Sequence, residues 1–137
     1  MAMYPAADVP VVQLSMPGLD PTALLELGSK LGALRDEGVL VLGSGSMTHS
    51  FTAFRDRQLI PHMDAFDAWA ADALQRGDVD TLTNYLREAP SATLAHPRAD
   101  HYVPLLLTLG AAGDPGTART VFNRSFFGNH MRSIQVD

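Results

Sequence analysis

Two short apolar runs on either side of an amphipathic segment constrain this chain more than any other feature. Val9 to Ser15 (VPVVQLS) is apolar, β-branched and bounded by Pro5 and Pro17, which is the pattern of a buried strand. Val39 to Leu42 (VLVL) is a second such run, and it ends in the glycine-rich Gly43-Ser44-Gly45-Ser46. Between them, Asp20-Pro21 announces a helix, a capping carboxylate followed by proline at the first helical position. Leu24, Leu27, Leu31 and Leu34 then recur at helical spacing, and Gly38 stands where a C-cap is expected. Strand, helix and strand in this order predict a βαβ unit with parallel strands, and hence an α/β fold. Such strands need cover on both faces, yet little chain precedes Val9 to supply it. The pattern therefore reads as the second half of an α/β protein.

The rest of the chain is mostly helical by pattern. Pro61 opens a segment in which Met63, Phe66, Trp69, Ala70 and Leu74 share a core-facing side, ending at Gly77. Asp78 caps a short helix through Leu82, Tyr85 and Leu86. Ala89 to Arg98 is small, polar and proline-containing, so a loop is expected there. His101 to Leu109 (HYVPLLLTL) predicts a buried helix with Pro104 in its first turn. Gly110 to Gly116 interrupts the chain. Arg119 to Phe127 and Met131 to Val136 predict a final strand pair joined through a Gly128–Asn129 turn.

With 137 residues, the chain is expected to form a single domain over 1–137. A net charge of −5 without a Lys/Arg cluster argues against nucleic acid or an anionic membrane as partner. The absence of cysteine excludes disulfides, thiolate nucleophiles and Cys-based metal sites. No run approaches the ~18 apolar residues of a membrane span. The N-terminal MAMYPAADVP lacks the features of a secretory leader, so a cytoplasmic location is expected. Any metal chemistry must rest on five histidines and fifteen carboxylates.

The loop after an apolar parallel strand is the usual ligand position in α/β sheets, and here it is Gly43 to Ser50 (GSGSMTHS). It matches neither a dinucleotide nor a P-loop pattern, and Gly45 stands where a nucleophile elbow would carry serine. His49 is its chemistry-bearing residue, since an imidazole titrates near neutrality and can move protons or bind metal. A second constellation is His96-Pro97-Arg98-Ala99-Asp100-His101. Its histidines are five apart and do not share a helical face, and His101, opening an apolar helix, is the better placed. Asp100 either orients an imidazole or caps that helix. His62 and His130 lie in turn-like surroundings that suggest no role. Two candidate histidines fall short of the three protein ligands of a typical catalytic metal centre.

The segments VLVLGSGSMTHSF (39–51), DAFDAW (64–69), HPRADHYVPLLL (96–107) and Phe126 to Ser133 resemble the class III extradiol ring-cleaving dioxygenases. The resemblance is to the DOPA dioxygenase-like type, related to the B-subunit of protocatechuate 4,5-dioxygenase. It implies an α/β fold, a non-haem Fe(II) or Zn(II), and O2-dependent opening of a catechol-type ring beside its hydroxyls. By that resemblance His49 is the acid–base histidine of the glycine loop and His101 is a metal ligand, with Ser46 and Asp100 near the substrate. Asp100 stands where many relatives have glutamate, and His130 has no counterpart role. The resemblance also implies a protein of ~250 residues whose other two metal-binding histidines lie in its first half. This chain would then be the C-terminal portion of the catalytic domain. Alone, it is expected to bind metal weakly and to cleave catechols poorly, unless an N-terminal half on another chain or a homo-oligomer completes the site. The alternative is a non-catalytic remnant or dimerising module that keeps the fold and uses an exposed sheet edge. A small hydrolase using His49 with Ser44 or Ser46 is a weaker third reading.

Overall fold

Regular structure forms here where the chain can satisfy its own backbone hydrogen bonds. The computed structural model describes residues 4–137, so the first three residues of the segment read for a leader lie outside it. Helix α1 (Pro21–Leu31) starts as its sequence predicts: the Asp20 carboxylate accepts from the Ala23 N–H at 2.8 Å, and Pro21 needs no partner for a missing N–H. Leu24 is buried, while Leu27 and Leu31 pack at the margin of the core. A 3-10 turn (Gly32–Glu37) follows and ends at Gly38 in the left-handed conformation. Helix α1 lies directly against α7 (Pro104–Ala111). The approach is so close that a Cβ at Gly28 would collide with the Leu107 carbonyl.

The two runs expected to be parallel strands are not strands. Residues 9–15 and 39–42 lie outside any helix or ladder, and the one sheet among the described residues is an antiparallel pair. The βαβ unit is thus absent as a hydrogen-bonded structure, although the mixture of helices and strands fits the α/β class. The physical reason is the lack of a neighbour. A strand takes its hydrogen bonds from an adjacent strand, and among the described residues no backbone bond reaches residues 9–15 or 40–45.

Helix α2 (Phe51–Arg55) is capped by the Ser50 hydroxyl, which accepts from the Ala53 N–H. Helix α3 (Ile60–Gln75) turns Met63, Phe66, Ala70 and Leu74 inward, with Trp69 half-buried beside them. Asp78 caps α4 (Val79–Thr83), and α5 (Tyr85–Glu88) follows. The expected loop 89–98 instead contains the one-turn helix α6 (Ala92–Ala95), entered through Ser91 at φ 55°. Its Ala92 and Ala95 are buried, so small side chains here serve packing and not looping. The helix expected from His101 begins only at Pro104. His101 itself closes a 3-10 turn (Ala99–His101), which lets the proline take the first helical position. Phe66, Leu82, Tyr85, Tyr102 and Leu106 make the centre of the core.

Strands β1 (Arg119–Phe126) and β2 (Asn129–Gln135) pair as expected, but their connection is Phe127–Gly128, one residue earlier than predicted. Both connecting residues have positive φ, 48° and 79°, which suits a two-residue hairpin. Asn129 is thereby released from the turn and becomes the first residue of β2. No helix among the described residues is long and apolar enough to cross a membrane.

Candidate active site

The glycine-rich segment is tied to three other parts of the chain by its backbone. The Ser46 N–H donates to the His101 carbonyl at 2.9 Å, and a Cβ on Gly45 would strike that same carbonyl. The N–H groups of Met47 and Thr48 both reach the His130 carbonyl, while the His130 N–H donates to the Thr48 hydroxyl at 2.7 Å. The His49 N–H donates to the Ala95 carbonyl at 2.8 Å. Asn129 then pairs with Ser50 as a strand neighbour would: its Oδ1 accepts from the Ser50 N–H, and its Nδ2 donates to the Ser50 carbonyl.

This lacing brings His49 and His101 together. Their rings stack, with centroids 3.7 Å apart and planes inclined by 15°, and Phe51 stands edge-on to His49 at 5.0 Å. Both imidazoles are half-buried. Burial holds the His49 pKa below the ordinary 6.5, the neighbouring His101 lowers it further, and Asp100 partly opposes them. His49 is therefore neutral at pH 7 and ready to accept a proton.

The stack limits how the pair can serve a metal ion. An imidazole binds along the lone pair in its own plane, and two nearly parallel rings direct those lone pairs side by side. Such a pair suits one ligand and one acid–base group better than two ligands on one ion. The donor type fits iron or zinc. No group of three His, Cys, Asp or Glu residues able to hold a metal occurs among the described residues.

The remaining sequence candidates fall as follows. The Ser46 hydroxyl donates to the Thr48 carbonyl at 2.7 Å, not to His49, which leaves its lone pairs as acceptors. It lines a cleft of about 430 Å3 together with Leu42, Gly45, His101, Thr108 and Ile134. Asp100 caps nothing and lies 3.7 Å from the Arg98 guanidinium. His62 is engaged with the Ser91 hydroxyl. His96, ranked below His101 from the sequence, is buried behind the loop, and its Nε2 lies 2.8 Å from the Met47 carbonyl.

Sequence reasoning missed one cluster. Asp67 holds the Arg132 guanidinium through two bonds, at 2.8 and 2.6 Å, and His130 Nε2 meets Asp64 at 2.8 Å. The pair is almost wholly buried, and the hydrogen-bonded Asp67 carboxylate raises the Arg132 pKa. These bonds fasten β2 to α3, and so place the His130 carbonyl that receives Met47 and Thr48. A signal was present: Asp67 falls on the same helical face as Met63, Ala70 and Leu74, where a lone carboxylate requires a cation.

Comparison with known proteins identifies the family. Residues 1–131 match the family model described as the catalytic LigB subunit of aromatic ring-opening dioxygenase. A 4,5-DOPA dioxygenase extradiol of Beta vulgaris is 43% identical over 126 residues, covering 90% of this chain and 47% of that protein. Its counterpart from Escherichia coli K12 is 40% identical over 116 residues, covering 80% of this chain and 42% of the relative. The chain thus spans about half the length of the curated relatives it matches. A crystal structure of an uncharacterised Escherichia coli K12 protein superposes with a TM-score of 0.81 at 32% identity, over 98% of this chain and 58% of that one. The family match runs through the glycine loop and both stacked histidines, and the chain belongs to the LigB family of aromatic ring-opening dioxygenases, as a class III extradiol dioxygenase-like protein.

Proposed function

We propose that this chain supplies the His49–His101 side of an extradiol site that opens a catechol-type aromatic ring with O2 at a non-haem Fe(II) or Zn(II). The observation that carries this reading is the stack itself. Two histidines 52 residues apart in the sequence meet face to face in a chain of a metal-dependent ring-opening family. On this reading residues 1–137 correspond to the C-terminal portion of the catalytic domain, and the remaining metal ligands come from a segment outside this sequence.

His101 contributes one imidazole ligand, held by the 3-10 turn and the Ser46 bond to its carbonyl. The bound metal would draw the catechol oxygens and O2 together and ease loss of the hydroxyl protons. His49, neutral and half-buried, accepts a proton from a substrate hydroxyl and later returns it to the ring-opened product. Ser46 offers its lone pairs to the other substrate hydroxyl, from the cleft wall it shares with His101. Asp100 steadies the charge that His49 acquires, the direction in which it already acts on His49.

The test is a ring-opening assay with Fe(II), O2 and DOPA, on the chain alone and with the N-terminal half of the Beta vulgaris relative. The lone chain should bind metal weakly and turn over little, and the mixture should open the ring. In the mixture, His49→Ala should lower kcat by about 100-fold with metal retained. His101→Ala should lose the metal. A metal-loaded mixture with no ring opening would overturn the activity, and robust turnover by the lone chain would overturn the division of ligands. A second reading, a non-catalytic module that pairs with another copy, is favoured by the exposure of Val11, Val12, Leu40 and Leu42. It predicts association without metal and without turnover.

A further inference from the structure

His96 is a polar ring in the most apolar part of the molecule. It is 3% exposed and surrounded by Phe66, Tyr102 and Tyr85, with ring centroids at 5.2, 5.3 and 6.4 Å. Because Nε2 faces the Met47 carbonyl at 2.8 Å, it must carry the proton, and Nδ1 holds its lone pair buried without a partner. An apolar ring of equal size would fill this space without an orphaned nitrogen. What the imidazole adds is a single directed bond to the glycine loop.

That bond has a counterpart. The residue before His96, Ala95, accepts from the His49 N–H, so the 95–96 and 47–49 segments are bonded in both directions. Asn129 grips Ser50 on the far side. The backbone of His49 is thus fixed both before and after its side chain. Without the His96 bond, the Met47 carbonyl loses its partner and the Met47–Thr48 peptide is held only by its N–H, through a long 3.3 Å bond to the His130 carbonyl, so the His49 ring is less firmly kept on His101. We infer that His96 is a positioning residue, whose buried imidazole fixes the Met47–His49 backbone and thereby holds the His49 ring against His101. The positioning stands on the fold alone, and its catalytic consequence rests on the function proposed above.

The test uses the whole chain, with amide exchange and histidine-selective nuclear magnetic resonance on wild type, His96→Phe and His96→Gln. Phenylalanine keeps the ring volume and removes the donor, whereas glutamine keeps a donor at similar reach. In wild type, His96 should be the Nε2–H form with a slowly exchanging ring proton. His96→Phe should speed exchange of the Thr48 and His49 amides at least about tenfold and abolish cross-peaks between the His49 and His101 rings. The Leu106 and Leu107 amides should keep their protection, and His96→Gln should restore both local signals. An Nδ1–H form in wild type would overturn the proposal even if the phenylalanine variant does not fold. So would unchanged His49 exchange, or loss of protection spread evenly through α7, in His96→Phe. In the complemented enzyme, His96→Phe should reduce kcat with little change in KM. Absence of wild-type turnover there would count against the proposed function and leave the positioning result intact.

Discussion

The helical core and the two apolar runs near the N-terminus use similar side chains to opposite ends. Met63, Phe66, Leu82 and Leu106 are 1% exposed or less, whereas Val11, Val12, Leu40 and Leu42 expose 88, 92, 68 and 70%. The difference lies in the backbone. A helix carries its own hydrogen bonds, so α3 and α7 need only an apolar stripe to be buried. A strand borrows its bonds from a neighbour, and among the described residues the runs at 9–15 and 39–42 have no neighbouring strand. The packed region also contains the polar groups that set the site: His96 behind the loop, and Asp67 and Arg132 beneath β2. Apolar composition alone therefore does not decide which part of this chain is ordered against the rest.

If the packed region carries the stability, its buried charge pair should be the most sensitive point. Asp67→Asn preserves shape but leaves the Arg132 guanidinium, 11% exposed, without its counter-charge. Removing one member of a buried pair commonly costs about 3–5 kcal/mol, so urea unfolding should show a loss near the lower end of that range. A loss below about 1 kcal/mol would show that β2 is not fastened through this bond.

Acidification probes the same region. Burial depresses the His96 pKa from 6.5 to about 4, against smaller opposing help from the Met47 carbonyl, with His49, His101 and Asp100 as the charged neighbours. Between those values the unfolded chain binds a proton that the folded chain refuses. The stability is thus complete above pH 6.5 and is lost as the pH falls towards 4, by about 3 kcal/mol in all. His96→Gln should flatten the stability profile in that window; an unchanged slope would place the titration elsewhere.

A smaller effect is expected where α1 meets α7. Gly28→Ala puts a methyl group against the Leu107 carbonyl, and backbone has little room to yield. The cost should be about 1–3 kcal/mol, the usual range for overpacking. Thermal unfolding reads it directly.

The sequence pattern reported the helices well because their information is local. Asp20 and Asp78 each mark a terminus by side-chain chemistry within one turn and act as read, whereas Pro104 opens a helix expected to begin three residues earlier. The pairing of His49 with a residue of the 96–101 segment was legible too, through the resemblance to the extradiol family, though their stacking was not. What stayed hidden depends on long-range partners. Nothing near His96 announces that its nitrogen will meet a carbonyl 49 residues away, and α6 is too short to produce a periodic pattern. The hairpin turn was misplaced by one residue because Asn after Gly is a good turn residue. Asn129 is instead committed to Ser50, and Phe127 takes the left-handed position. The strand prediction failed for a related reason: β-branched apolar residues indicate a surface that fits a sheet, not a sheet that is present.

That last point yields the smallest expected effect and the sharpest contrast. Val11→Thr with Val12→Thr keeps β-branching and removes two exposed methyl groups in favour of hydroxyls. In this chain those side chains touch little, so unfolding stability should change by less than about 0.5 kcal/mol, as at ordinary surface positions. The same substitutions in a complex where the 9–15 run is covered would lose buried apolar area and weaken association by about 1–2 kcal/mol per side chain. Stability of the isolated chain and affinity for the complementing half of a relative should therefore respond differently to one double variant. If the isolated chain lost as much as the complex, residues 9–15 would already be packed, and the contrast between the two regions would fail.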